Sequence, residues 1–388
     1  MNIQMKQRYI LPALLLLCAA CQQEEWAQPE ADSPDAIRFV APAITVEELT
    51  RSTFHDAFPT GGTFGVLGYC VPYQRGSDTE MDWASGSANW GNKSGNAFPD
   101  VFFNQAVTYN GSACTYDYNN SGGPRKWYNT TENQEAISPD NYRYTFFAYY
   151  PMDDFTVESP TNATTRGVPK LTFTMPFAET GDVATTTLDD EETSDAMVSV
   201  VYNHLRTTGN VRFNFSHIMT GLGFAVNNYN YGGDDETVTV KRVTLSGNFT
   251  RSITIDFSKN TNEDGFYTYS GTYPGTYVIY DNEIYNNEEG FAIAPNSSVP
   301  LIGDKHLLLL SNATDGTYFG ENVKVHVEYT YRGEAKNASA ERPTQFQPRA
   351  GVRYTAQLNF VGETFALNFI AAEDEFWEDG GDSDVSIQ

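Results

Sequence analysis

The sequence is short of positive charge, cysteine, histidine and helical periodicity, and each shortage removes a class of function. Only 24 Lys and Arg stand against 50 Asp and Glu, a formal net charge of −26. Phosphate binding requires a basic surface, so nucleic acid is excluded as a partner, and so balanced a chain also repels anionic membranes. The five histidines, His55, His204, His217, His306 and His326, have no second ligand at metal-binding spacing. His217, at the end of an alternating strand, therefore reads as a structural residue. No H-E-x-x-H and no G-x-S-x-G occurs. Residues Gly86 to Ser94 read G-x-x-x-x-G-N-K-S, one residue off a phosphate loop, but without the strand before and the helix after that would aim its amides. The acidic groups Asp189 to Glu192, Asp234 to Glu236 and Glu378 to Asp384 lack the spacing of a calcium loop and read as solvated turns. The chain is expected to be no enzyme and to hold no metal or cofactor.

The N-terminus is different in kind. Lys6 and Arg8 precede an apolar run from Ile10 to Ala20, the pattern of a secretory signal peptide over residues 1–20, too short for a stable span. Small residues lead into Cys21, as lipoprotein processing requires, and the acyl chains placed there would anchor the protein, at roughly 0.8 kcal/mol per buried methylene. Removing Lys6 and Arg8 takes the charge from −26 to −28. Residues 21–36, mostly Gln, Glu, Pro, Asp, Ser and Ala, cannot bury enough apolar surface to order themselves and read as a tether. After processing two cysteines remain, Cys70 and Cys114, a candidate disulfide pair in an oxidising compartment.

From Ile37 onward the dominant signal is period-2 alternation. Val323, Val325, Val327, Tyr329 and Tyr331 share one face, with Lys324, His326, Glu328, Thr330 and Arg332 on the other. The pattern recurs at Val211 to His217, Leu222 to Val226, Ile253 to Phe257 and Tyr354 to Phe360. The apolar parity switches between Val240 and Val243, which predicts a β-bulge near Lys241 or Arg242. No segment past the signal peptide keeps apolar residues at i, i+3, i+4 and i+7 for three turns. The chain is therefore all-β, and its length favours two sandwiches, 37–203 and 204–388, joined near His204. Trp83, Trp90 and Trp127 sit in Asn- and Gly-rich stretches where rings could stack on sugars, although core packing accounts for most aromatics in such a fold.

Several segments, in order, resemble the fimbrillin family in its Mfa-like subgroup, the subunits of type V pili. They are Thr50-Arg51-Ser52-Thr53-Phe54 with Gly62-Thr63-Phe64-Gly65-Val66, then Phe102 to Thr108, Lys126-Trp127-Tyr128, and Tyr144 to Pro151. Most distinctive is Val211 to Phe224, followed by Arg349 to Tyr354 and the closing Phe376-Trp377. The resemblance implies two tandem transthyretin-like, Greek-key β-sandwiches in a surface lipoprotein of the outer membrane, trimmed by an arginine-specific protease. Arg51 matches the cleavage position, with Arg38 the poorer alternative, and the strand within Ile37 to Val46 is the one trimming would remove. Another subunit would then fill the open edge by strand complementation. The donor candidate in this chain is the tail, through Val385 and Ile387. The implied partners are other fimbrial subunits, outer-membrane lipid through Cys21, and a host or glycan ligand. The alternative reading is a surface lipoprotein that does not polymerise and binds a glycan or host ligand on the same scaffold.

Overall fold

The computed structural model describes residues 36–44, 57–72, 101–120, 123–127, 142–158, 170–176, 184–187, 195–259, 261, 264–285, 287, 289–303, 305–312 and 318–371. Strands dominate them, and among the described residues no helix is long and apolar enough to cross a membrane. The protein is all-β and sandwich-like.

One sheet has seven strands, in spatial order β1 (Ala43–Ile44), β10 (Asn214–His217), β9 (Met197–His204), β5 (Tyr142–Tyr150), β2 (Thr63–Pro72), β3 (Phe102–Tyr109) and β4 (Cys114–Thr115). Its neighbours are antiparallel except β1 and β10, which run parallel. A five-stranded sheet runs β15 (Ser297–Pro300), β11 (Thr220–Asn228), β19 (Arg353–Val361), β20 (Thr364–Ala371), with β16 (Leu307–Leu309) also on β11. An eight-stranded sheet runs β18 (Glu334–Glu341), β17 (Gly320–Tyr331), β12 (Val238–Asp256), β13 (Tyr267–Asp281), β8 (Ala184–Thr187). To β12 are added β14 (Phe291–Ile293) and β7 (Lys170–Thr174), and β6 (Phe155–Val157) pairs with β7. Strands from both sides of His204 share sheets: β10 pairs with β9, and β7 pairs with the end of β12.

The alternation seen in the sequence is the burial pattern. Val323, Val325, Val327, Tyr329 and Tyr331 are all buried, as are the inward residues of β10, β11 and β19. A sheet with one wet face should alternate in this way. The strand β5 does not: eight consecutive residues, Tyr142 to Tyr149, are buried. The reason is that the seven-stranded sheet has an apolar cluster on each side. Tyr144, Phe146 and Ala148 join the cluster of Ile37, Phe39, Phe64, Phe102 and Phe213, whereas Phe147 and Tyr149 join the larger cluster, which also holds residues of the other two sheets. Phe147 stacks on Phe257 with ring centroids 4.4 Å apart. The register slips just past Arg242, between Val243 and Thr244, and the inserted residue is on the partner strand: Val243 pairs with Tyr280 but Thr244 with Val278, so Ile279 is the extra residue. The parity switch is present in β12 itself, where Lys241 and Arg242 are both only partly buried between the buried Val240 and Val243.

Candidate functional site: the N-terminal strand and its groove

Ile37 to Ile44 is an extended segment laid along the rim of the seven-stranded sheet. On one side it follows β10 in parallel: Val40 N–H donates to Val211 O at 3.0 Å, Val211 N–H to Arg38 O at 2.8 Å, and Ala43 N–H to Phe213 O at 2.9 Å. Phe39 bridges to Val211, and Ala43 and Ile44 pair with Asn214 and Phe215. The other side is closed not by a strand ladder but by the chain around β4. Ile37 N–H donates to Arg125 O at 2.8 Å. The Tyr116 hydroxyl donates to Ile37 O at 2.7 Å and accepts from Arg125 N–H at 3.1 Å. The Cys114 thiol donates to Val40 O at 3.4 Å. The segment's backbone is thus satisfied from two walls, as a strand filling a groove must be.

Its side chains fill the groove's floor. Ile37 is fully buried and Phe39 nearly so. The Phe39 ring stacks on Phe213 at 5.4 Å and meets Phe64, Phe102, Tyr116 and Phe146 at 5.5 to 6.5 Å. It is the centre of an aromatic cluster contributed by five other stretches of chain. Edge-to-face and offset contacts of this kind add about 0.5–1.5 kcal/mol each beyond burial. Burial pushes the Cys114 thiol up to about 11 and raises the Tyr116 hydroxyl well above its ordinary value, even with Arg125 beside it. Both groups are therefore protonated donors at neutral pH.

The remaining residues singled out in the sequence fall as follows. Cys21, Arg51, Val385 and Ile387 lie outside the described residues, as do His55, Trp83, Trp90, the phosphate-loop-like stretch and the acidic groups at 189–192 and 378–384. Cys70 and Cys114 are thiols, and the strand register keeps them apart. Cys114 pairs with Tyr109, whose N–H donates to Gly62 O. Cys70 lies eight residues further along β2, roughly 25 Å at the rise of a strand. A disulfide spans only about 7 Å between Cα atoms.

His217 is buried and its Nδ1 lies 2.8 Å from Asp195 Oδ1, a structural pair joining the start of β9 to the end of β10. His204 is held below its ordinary value by burial and bonds Gly209 O through Nε2 at 2.8 Å. Trp127 is buried against Tyr144 and His204, not offered to a ligand. Glu236 of the middle acidic group bonds Arg332 and Tyr331. Among the described residues no three His, Cys, Asp or Glu are grouped to hold a metal. Sequence reasoning missed Tyr116 and Arg125, which sit in short irregular segments with no periodic signal.

No curated protein matches the chain. Among solved structures it is similar to a fimbrial protein from Bacteroides vulgatus, 15% identical, over 79% of this chain and 92% of that one, with a TM-score of 0.44. It is also similar to a fimbrial assembly protein from Parabacteroides distasonis, 11% identical, over 82% and 90% of the two chains, with a TM-score of 0.32. A family described as fimbrillin-like matches residues 89–369, well over half of the sequence, and the chain belongs to that family.

Proposed function

We propose that the protein is a structural or adhesive subunit of a bacterial surface fimbria, assembled by replacing its own N-terminal strand with the strand of a neighbour. The supporting observation is the Ile37 to Ile44 segment. It lies 170 positions or more before β10 in sequence, pairs with it at the sheet rim, and fills an aromatic groove between β10 and the chain around β4. In this reading the precursor is exported, lipidated at Cys21 and held on the outer membrane. Cleavage after Arg51 then frees the segment, and the vacated groove takes an extended strand, Val385 and Ile387 of another copy being the donor residues. Arg38 is a poor cleavage site because its carbonyl is engaged by Val211, and a protease needs an unpaired stretch of chain. A two-sandwich division belongs to the same reading, with β10 crossing to the sheet of β9, and β7 and β8 crossing to the sheet of β12 and β13.

An emptied groove would expose unpaired backbone and aromatic rings, an edge that invites pairing with another chain. Arginine-specific proteolysis of the full-length protein should yield a ladder of SDS-resistant oligomers, and the variant Arg51→Ala should yield none. Monomer alone after complete cleavage at Arg51 would reject assembly by strand replacement and leave the non-polymerising reading.

A further inference from the structure

The outer face of the five-stranded sheet is uncharged over adjacent stretches of three strands, unlike the outer face of β17. Outward residues of β17 include Lys324, Glu328 and Arg332, in keeping with a heavily charged chain. Between Gly223 and Tyr229 on β11, Thr355 and Val361 on β19, and Thr364 and Ile370 on β20, no outward residue carries a charge. What replaces charge is carboxamide. The register sets Asn227 beside Asn359 in one row and Gln357 beside Asn368 in the next.

The first row is fixed. Asn227 Nδ2 donates to Asn359 Oδ1 at 2.7 Å, and the Ser298 hydroxyl donates to Asn227 Oδ1. The second row is half-buried at Gln357 and exposed at Asn368, so its amides face solvent. The face ends in an apolar ledge. Tyr229 N–H donates to Phe360 O and extends the β11–β19 register, which puts Tyr229 beside Val361; they are 47% and 55% exposed. Tyr231, two residues on, is 80% exposed. Beneath them the buried Asn230 accepts from Gly362 N–H and its backbone O from Asn296 N–H, which ties three loops together.

We propose that this face is a binding surface for a neutral glycan. Gln357 and Asn368 each offer a donor and an acceptor from one planar group, the pairing that vicinal sugar hydroxyls match, while Asn227 and Asn359, buried and bonded to each other and to Ser298, support that row from beside it. Tyrosine rings at the rim provide apolar faces for the C–H side of a pyranose. No outward side chain along this stretch carries a positive charge to meet an acidic sugar or a lipid headgroup, and of the basic groups at its ends His306 lies against Gly223 and Lys336 is paired with Glu363 at 3.1 Å. A protein partner is disfavoured because a stable interface centres on large apolar anchors, whereas the centre of this face is Ala225 and Gln357.

The test uses the full chain carrying Cys21→Ser on a printed array of neutral and acidic glycans. The expected result is binding confined to neutral glycans and weakened about tenfold or more by Tyr229→Ala and by the double variant Gln357→Ala/Asn368→Ala. Asn337→Ala, on exposed β18, should bind as the parent does. Asn368→Asp, which adds one charge without changing shape, should also weaken binding and guards against misfolding in the truncated variants. No signal on the array, binding to acidic glycans only, or undiminished binding by these variants would overturn the assignment. The outcome is independent of strand replacement, which requires no glycan.

Discussion

The groove makes a quantitative prediction for Phe39→Ala. Truncating a buried phenylalanine costs about 3–5 kcal/mol where the cavity cannot collapse, and the Phe39 ring packs with five aromatic neighbours from separate stretches of chain. Because the segment is a short strand at the sheet rim, held to β10 and to the β4 side by its own hydrogen bonds, the loss should appear as local release and not as global unfolding. Cys114 reports that release, since its thiol is covered by Val40. Cys70, buried on β2 about 25 Å away, reports unfolding of the whole sheet. In a chain with Cys18 and Cys21 replaced by serine, the labelling rate of Cys114 by a thiol reagent should rise on the order of a hundredfold, because 3 kcal/mol is about two decades in an opening equilibrium. Cys70 labelling should rise far less. Equal acceleration at both cysteines would refute the idea that the segment is a separable strand.

Three further outcomes follow from the same structure. Cys114 is pushed up to about 11 by burial, so in the intact protein its labelling should climb steeply between pH 9 and pH 11. In Phe39→Ala the climb should move toward the ordinary thiol range, read from rate against pH. His217→Ala removes the buried bond to Asp195 and should lower stability by about 1–3 kcal/mol in denaturant titration. It should leave metal content unchanged, since the residue is structural. Gly320 has φ +148 and a Cβ there would sit 1.9 Å from Asn248 O, so Gly320→Ala should cost at least about 1–3 kcal/mol, measured as a lowered melting temperature.

Which residues turn inward could be read from the sequence; which strands meet could not. Period-2 alternation identified the buried faces of Val323 to Tyr331 and of Tyr354 to Phe360, because a sheet with one wet face writes its burial directly into the chain. Alternation carries no information about partners. Nothing local joins Phe39 to Val211, or β7 to the end of β12, and these long-range pairings decide where the groove lies. The strand candidate at Ile37 to Val46 was legible from its apolar residues, yet Tyr116 and Arg125, which close its far side, act through hydroxyl and backbone atoms in irregular segments. Compartment and count alone make Cys70 and Cys114 a candidate pair, whereas strand register separates them. The uncharged face became visible only once β11, β19 and β20 were set side by side.

The central claim, that the N-terminal strand is removed so that a neighbour's strand can take its place, is tested most directly by N-terminal sequencing and mass measurement of the protein sheared from the cell surface. The account predicts a chain beginning at Ser52 within SDS-resistant oligomers. Polymers built from chains that still carry lipidated Cys21 and an uncut Arg51–Ser52 bond would contradict it.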